Sequence, residues 1–253
     1  MSDTTIRIGV AGWSIPPAVA DQFPQGASHL SRYAQRLTAV EINTSFYRPH
    51  QPKTYARWAD TVPDAFRFSV KLPKTITHER RLVGADDLRD RFLDEIAALG
   101  PKLGPILVQL PPSLDFDASV VGAFLERLHQ GFDGQLACEP RHVSWFTDEA
   151  DDLLASLQVA RVAADPALNA RAAAPGGWGG LIYRRLHGAP KVYVSDYPAA
   201  YLLDLAAEMS ASSIASDSWC VFDNTTLGHA TANALSLQEQ LHLTVTRTNF
   251  NIS

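Results

Sequence analysis

The 253-residue chain is 46% hydrophobic and 19% charged, enough apolar material for one large core. Its net charge of −5 and pI near 5.9 oppose broad nucleic-acid affinity, which needs a basic footprint. The start, MSDTTIRIGV, has no basic stretch leading into an apolar one, and no apolar run of about 18 residues occurs, so the expectation is a cytoplasmic protein with no membrane span.

Apolar strand-like runs alternate with helical periodicity along the chain. A strand is predicted at Ile6–Ala11, followed by a turn, AGWSIPP, with two prolines and no GxGxxG, which disfavours a doubly wound dinucleotide-binding sheet. A helix at His29–Leu37, a strand at Ala39–Asn43, a helix at Lys53–Thr61 and a strand at Arg67–Leu72 come next. The alternation continues with a helix at Asp87–Leu99, a strand at Ile106–Leu110, a helix at Ala118–Gln130, a strand at Leu136–Glu139 and a helix at Asp148–Gln158. Asp86 or Asp87, Asp117 and Thr147 are the expected N-caps, with Gly100 and Gly131 as helix stops. After a strand at Ala160–Asp165 the pattern breaks: residues 166–180 end in GGWGG and are too glycine-rich for a full helix, so a mobile surface loop is expected. Strands at Leu181–His187 and Trp219–Asn224 and helices at Ala199–Met209 and Thr231–Leu241 complete the order, and Thr244–Ser253 has no assignment.

Strand–helix alternation about eight times in ~250 residues is the signature of a (β/α)8 barrel, a closed parallel sheet, here with an irregular sixth βα unit. No repeat or low-complexity linker interrupts it, so residues 1–253 are expected to form one domain. Cys138 and Cys220 lie far apart inside strand-like runs, as buried reduced thiols do.

Side chains along a strand alternate faces. Glu41 and Asn43 share a face, as do Arg67, Ser69 and Lys71, then Ala137 and Glu139, Ala163 and Asp165, and Tyr183, Arg185 and His187, with Gln109 at the end of the fourth strand. This leaves Arg184 awkwardly on the helix side. Burying such charges costs several kcal/mol each unless they are paired. Polar groups near the C-terminal ends of six strands, at one parity, point to a ligand pocket at that rim.

Seven blocks, GVAGWS (9–14), VEINTSFYR (40–48), FRFSVKLPKTITH (66–78), LVQLPPS (107–113), EPRHVSW (139–145), RLHG (185–188) and VFDNTTLGHATANA (221–234), resemble the DUF72 (YecE-like) family, in family order from residue 6 to about 240. The resemblance implies a TIM barrel and little about chemistry. Two departures stand out. APKVYVSDYPAAYL follows RLHG where members carry an aromatic, glycine-containing stretch, and Asp223-Asn224 stands where they have an asparagine pair.

The residues support several chemistries. Glu41 and Glu139, three strands apart, are placed as acid and base across the barrel mouth, with His187 assisting; a separation of roughly 5–9.5 Å would suit glycoside hydrolysis. The alternative is that they form ion pairs with Arg185, Lys71 or Arg141 and close the barrel. Lys71, Arg141 and Arg185 suit a carboxylate or phosphate, while Trp13, Phe46, Tyr47 and Trp145 suit a sugar or base, with Trp145 capping the core as the alternative. Asn43, His78, Gln109, His142, Asp165, Tyr183 and Asn224 complete the expected binding set. No cofactor is predicted; a divalent metal on the histidines with Glu41, Glu139 and Asp165 is the alternative, although no HxH or HExxH concentrates them. GxSxG, a P-loop and a Ser/His/Asp order are absent. The leading expectation is a hydrolase, lyase or isomerase acting on a small polar, anionic or sugar-like molecule. The competing ones are a non-catalytic module binding a metabolite or nucleic-acid fragment, and a metal-dependent phosphodiesterase. The oligomeric state is not legible.

Overall fold

The computed structural model describes residues 5–212 and 217–250. Among the described residues ten strands carry the frame: β1 (Ile6–Val10), β2 (Ala39–Ile42), β3 (Arg67–Lys71), β4 (Leu103–Gln109), β5 (Leu136–Glu139), β6 (Val159–Arg161), β7 (Ala163–Asp165), β8 (Gly176–Gly177), β9 (Leu181–Leu186) and β10 (Asp217–Phe222). Between them lie α1 (His29–Tyr33), α2 (Pro52–Thr61), α3 (Asp86–Ile96), α4 (Ala118–Gly131), α5 (Asp148–Ser156), α6 (Ala170–Ala173), α7 (Ala199–Ser212) and α8 (His229–Phe250). None of the described helices is long and apolar enough to cross a membrane.

The expected single closed sheet is found as two: β1-β10-β9-β7, and β2-β3-β4-β5-β6-β8, parallel throughout except for the antiparallel β6–β8 pair. Two local causes split it. Residues 159–165 change partners at Val162: β6 pairs with β5 and β7 pairs with β9, while β8 occupies the edge of β6 at Ala160 and Arg161. Between β1 and β2 the ladder shrinks to one bridge, Ala11 to Glu41, with Gly12 N–H donating to the Glu41 carbonyl. The chains approach closely there, since a Cβ on Gly9 would lie 2.4 Å from the Ala39 carbonyl oxygen.

Residues 166–180, expected to be a loop, contain α6 and β8. Trp178 N–H donates to the Val159 carbonyl and Gly177 N–H to Asp151, so backbone pairing replaces the missing helix. Helix ends also differ from expectation. Ala85, not Asp86 or Asp87, is the N-cap of α3, and the two aspartates sit in its first turn, where the helix dipole favours them. Asp117 and Thr147 do cap α4 and α5. α1 stops at Tyr33, α3 gives way at Ile96 to a tighter turn that kinks at Gly100 (φ 55°), and α8 runs on to Phe250, through most of the segment left unassigned.

Two apolar layers flank the strands. The larger packs strands against helices; a smaller one, Ala39, Leu107, Ala137, Ala160, Val162, Leu181, Tyr183, Trp219 and Val221, lies on the opposite faces, with Trp178 against it. That second set follows the expected parity on β2, β4, β5 and β9. It breaks it at residues 160–165: Ala160 and Val162 face inward, so Asp165 is one position out of phase with the site. Large apolar Val162 suggested a helix-facing side chain, but this interior is itself apolar. Arg184 finds its partner on the helix side, where Nη2 donates to Glu208 at 2.7 Å. Both cysteines are buried and free.

Candidate functional site

Above the inner apolar layer, the C-terminal strand ends converge on one buried charge cluster. Arg185, fully buried on β9, is its centre. Its Nε and Nη2 donate to the two oxygens of Glu41 (2.9 and 2.7 Å), Nη1 donates to Glu139 (2.7 Å), and Nη2 also reaches Asp223 (3.0 Å). Tyr183 donates to Glu41 at 3.0 Å and lies 2.8 Å from the Ser69 hydroxyl. Gln109 donates to Glu139 at 2.9 Å, and Arg141 touches the same carboxylate at 3.3 Å. His187 sits between two acids, Nε2 at 2.8 Å from Glu139 and Nδ1 at 3.1 Å from Asp223.

The electrostatics follow from this packing. Burial favours neutral carboxyls, but Arg185 and His187 outweigh it and hold Glu139 well below the usual carboxylate range; the same pair lowers Asp223. Burial would also discharge His187. The Glu139 charge and hydrogen bonds to Asp223 and Glu139 overcome that and raise its pKa, which favours an imidazolium donating to both acids. Tyr183 is pushed well above its ordinary value by burial and by Glu41. Glu41 and Glu139, placed by the sequence across an open mouth, therefore share one guanidinium that fills the space between them.

The polar groups beside this cluster are paired differently. The ammonium of Lys71, a residue 5% exposed at the end of β3, lies 4.0 Å from the centre of the Phe46 ring and has no hydrogen bond or ion pair among the described residues. Burial and then the Arg185 charge push its pKa down to about 8, against the opposing pull of the three acids. His78 packs edge-to-face on the same ring at 4.9 Å, with Nδ1 2.8 Å from the Thr77 hydroxyl. Burial, then Lys71 and Arg141, lower its pKa, which favours the neutral imidazole near pH 7. Tyr47, 67% exposed, meets the Phe46 ring edge-to-face at 5.0 Å.

Several expected site residues lie elsewhere. Trp145 is fully buried and donates to the Leu114 carbonyl, a core role rather than a rim one. Asp165 accepts from Tyr197 at 2.6 Å, and Asn224 bridges the Ser195 carbonyl and Asn233. Trp13 packs against Trp58, and His142 engages Ser144 and Asp115. Asn43, just past the end of β2, has a buried Oδ1 with no hydrogen-bond partner among the described residues. The residue that sequence reasoning missed is Asp223. Its signal was present: Trp219 and Val221 face inward, and the same period places Asp223 inward and Asn224 outward. Among the described residues no group of His, Cys, Asp and Glu is arranged to hold a metal ion.

With this geometry in view, known proteins give a consistent picture. A solved DUF72 family protein of Enterococcus faecalis V583 superposes with a TM-score of 0.78 at 24% identity, over 94% of this chain and 96% of that one. A fusion protein described as xylose isomerase-like TIM barrel/4-hydroxyphenylpyruvate dioxygenase gives 0.54 at 15% identity, over 98% and 45%. At such identities the likeness concerns the fold, which is TIM-barrel-like. The UPF0759 protein YecE of Escherichia coli K12 is 34% identical over 142 residues, 56% of this chain; the match spans only 50% of that protein. The family described as "Protein of unknown function DUF72" matches residues 7–251. The chain belongs to the DUF72 family.

Proposed function

We propose that the strand ends form a binding site for a small anionic molecule, carboxylate or phosphate, whose charge is received by Lys71 with His78 and Arg141 beside it. In this reading the two sheets are arcs of one (β/α)8 ring, joined through residues 159–165 and the Ala11–Glu41 bridge. The observation that carries it is the contrast in pairing. Glu41, Glu139 and Asp223 are saturated by Arg185, His187, Gln109, Tyr183 and Arg141, whereas the Lys71 ammonium has no counter-ion in contact. An acid or base needs a lone pair or proton free to reach a reacting atom. Glu139 has four donors on its two oxygens, and His187 has both nitrogens engaged. These groups hold the architecture and set the field, whereas the Lys71 ammonium and His78 Nε2 have no such partner among the described residues.

The enzyme class this favours is a lyase or isomerase on a small anion, in place of a glycosidase with paired carboxylates. Isothermal titration with inorganic phosphate, small carboxylic acids and phosphosugars tests the site. Binding by the wild type that disappears in Lys71→Met, with the fold retained by circular dichroism, supports it. Equal binding by both proteins, or none by either, rejects it.

A further inference from the structure

Lys71 differs from the four other lysines of the chain. Lys53, Lys74 and Lys191 are exposed, and Lys102 donates to the Ala59 and Val62 carbonyls. Lys71 alone is buried, and its amine rests on an aromatic face rather than on a carboxylate. Arg185, the cation whose charge acts on Lys71, is fixed in place by three acids. His78, on the same Phe46 ring, has Nε2 free of any described partner.

We propose that Lys71 is a nucleophilic amine that forms a Schiff base with the carbonyl carbon of a small substrate that also carries a carboxylate or phosphate. This rests on the anion-site reading above and extends it from binding to covalent chemistry. The step balances within the site. His78 takes a proton from the Lys71 ammonium, and the nitrogen lone pair forms a bond to the carbonyl carbon while the π electrons move to oxygen. The oxygen takes up a proton to become the hydroxyl of a carbinolamine, as the nitrogen sheds one. The proton held by His78 then passes to that hydroxyl, which leaves as water, and the C=N bond forms. No oxidant, reductant or metal is consumed. A desolvated lysine beside a second cation is the environment that makes an amine reactive near neutral pH, and the lowered Lys71 and His78 values agree with it. The resulting iminium is an electron sink that would support proton loss or bond cleavage at the adjacent carbon, the chemistry of a lyase or isomerase.

The test is reductive trapping. Wild-type protein is incubated with pyruvate, 2-oxoglutarate or dihydroxyacetone phosphate, each with sodium borohydride, then digested and mapped by mass spectrometry. The expected result is a reduced adduct on Lys71, suppressed by excess inorganic phosphate and absent in Lys71→Arg, which keeps the positive charge. His78→Gln should slow trapping by about 100-fold. No adduct on Lys71, or labelling spread equally over Lys53, Lys74 and Lys191, overturns the proposal. Phosphate binding measured in the same preparation separates the two failures: binding without an adduct removes only the covalent step, whereas no binding removes the anion site as well.

Discussion

Two buried arginines invite comparison. Arg161, 1% exposed at the end of β6, donates to Asp151 at 2.7 and 3.3 Å and to the carbonyls of Arg171 and Ala174. Arg171 reinforces the same aspartate. That set pins α6 and β8 to α5, and every charge in it has an opposite. Arg185 is buried as deeply, but it gathers three carboxylates, and next to it stands Lys71 with none. Buried ion pairing by itself is weak evidence of function, because structure uses it too. What separates the two regions is the charge left over, and that is where a ligand gains most.

The comparison breaks most visibly by removing each arginine. Arg185→Met leaves Glu41, Glu139 and Asp223 without their shared partner. Loss of a buried partner costs about 3–5 kcal/mol for a single pair, so this variant is expected to be largely unfolded by circular dichroism. Arg161→Met leaves Asp151 with Arg171 and partial solvent contact, so it should stay folded, with a lower urea midpoint. Equal losses in the two variants would erase the distinction.

Lys71→Met sharpens the contrast from the other side. The folded protein holds Lys71 down from 10.5 to about 8, so keeping it charged costs roughly 3 kcal/mol at about 1.4 kcal/mol per pH unit. The cost is present in full below pH 8 and fades as pH rises toward 10.5. Lys71→Met should therefore be more stable than wild type at pH 7 by up to about 3 kcal/mol in urea unfolding, while losing anion binding. A destabilised variant would mean that the lysine serves the fold.

Much of this was legible in the chain because period-2 alternation is rigid. Glu41, Ser69, Lys71, Gln109, Glu139, Tyr183, Arg185 and His187 all reach the cluster or its edge as their parity required. What failed had local causes. Asp165 was lost because the partner change at Val162 put an apolar side chain on the inner face, and Asn224 was expected in the site although the period of Trp219 and Val221 puts Asp223 there instead. Trp145 looked like a rim aromatic, yet the short turn after β5 folds it beneath Leu114. Pairing was the least legible property: no spacing reveals that one guanidinium binds both glutamates, or that Lys71 is left without an acid. Those facts depend on distances between strands far apart in the chain, as between Glu41 and Arg185, 144 positions apart.

A smaller effect is expected at Gly176, where an added Cβ would lie 2.2 Å from Arg161 Nη2 and 2.7 Å from Asp151 Oδ1. Gly176→Ala should displace the guanidinium and cost about 1–3 kcal/mol in urea unfolding, the range for overpacking a tight site. Phosphate binding should not change, because the Arg161 set lies outside the candidate site. A coupled loss of binding would show that the two regions are not independent.

The smallest effect expected is a slope. His187 has a folded pKa raised above its ordinary 6.5 by Glu139 and Asp223, so its contribution to stability is complete below 6.5 and is lost as pH rises through the folded value. Glu139 and Asp223 work in the opposite sense: their values are depressed, and their contribution appears only above about 4 and is lost toward acid. His78 and His50, both lowered, work against it while their unfolded rings titrate around 6.5, and Lys71 adds stability with rising pH only above about 8. The stability of wild type relative to His187→Gln cancels these other groups and isolates His187. That difference should fall from pH 6.5 to 8 by less than about 1.4 kcal/mol per pH unit, the limit for one proton. A difference that is level or rising from 6.5 to 8 would mean that His187 is not held as an imidazolium between its two acids.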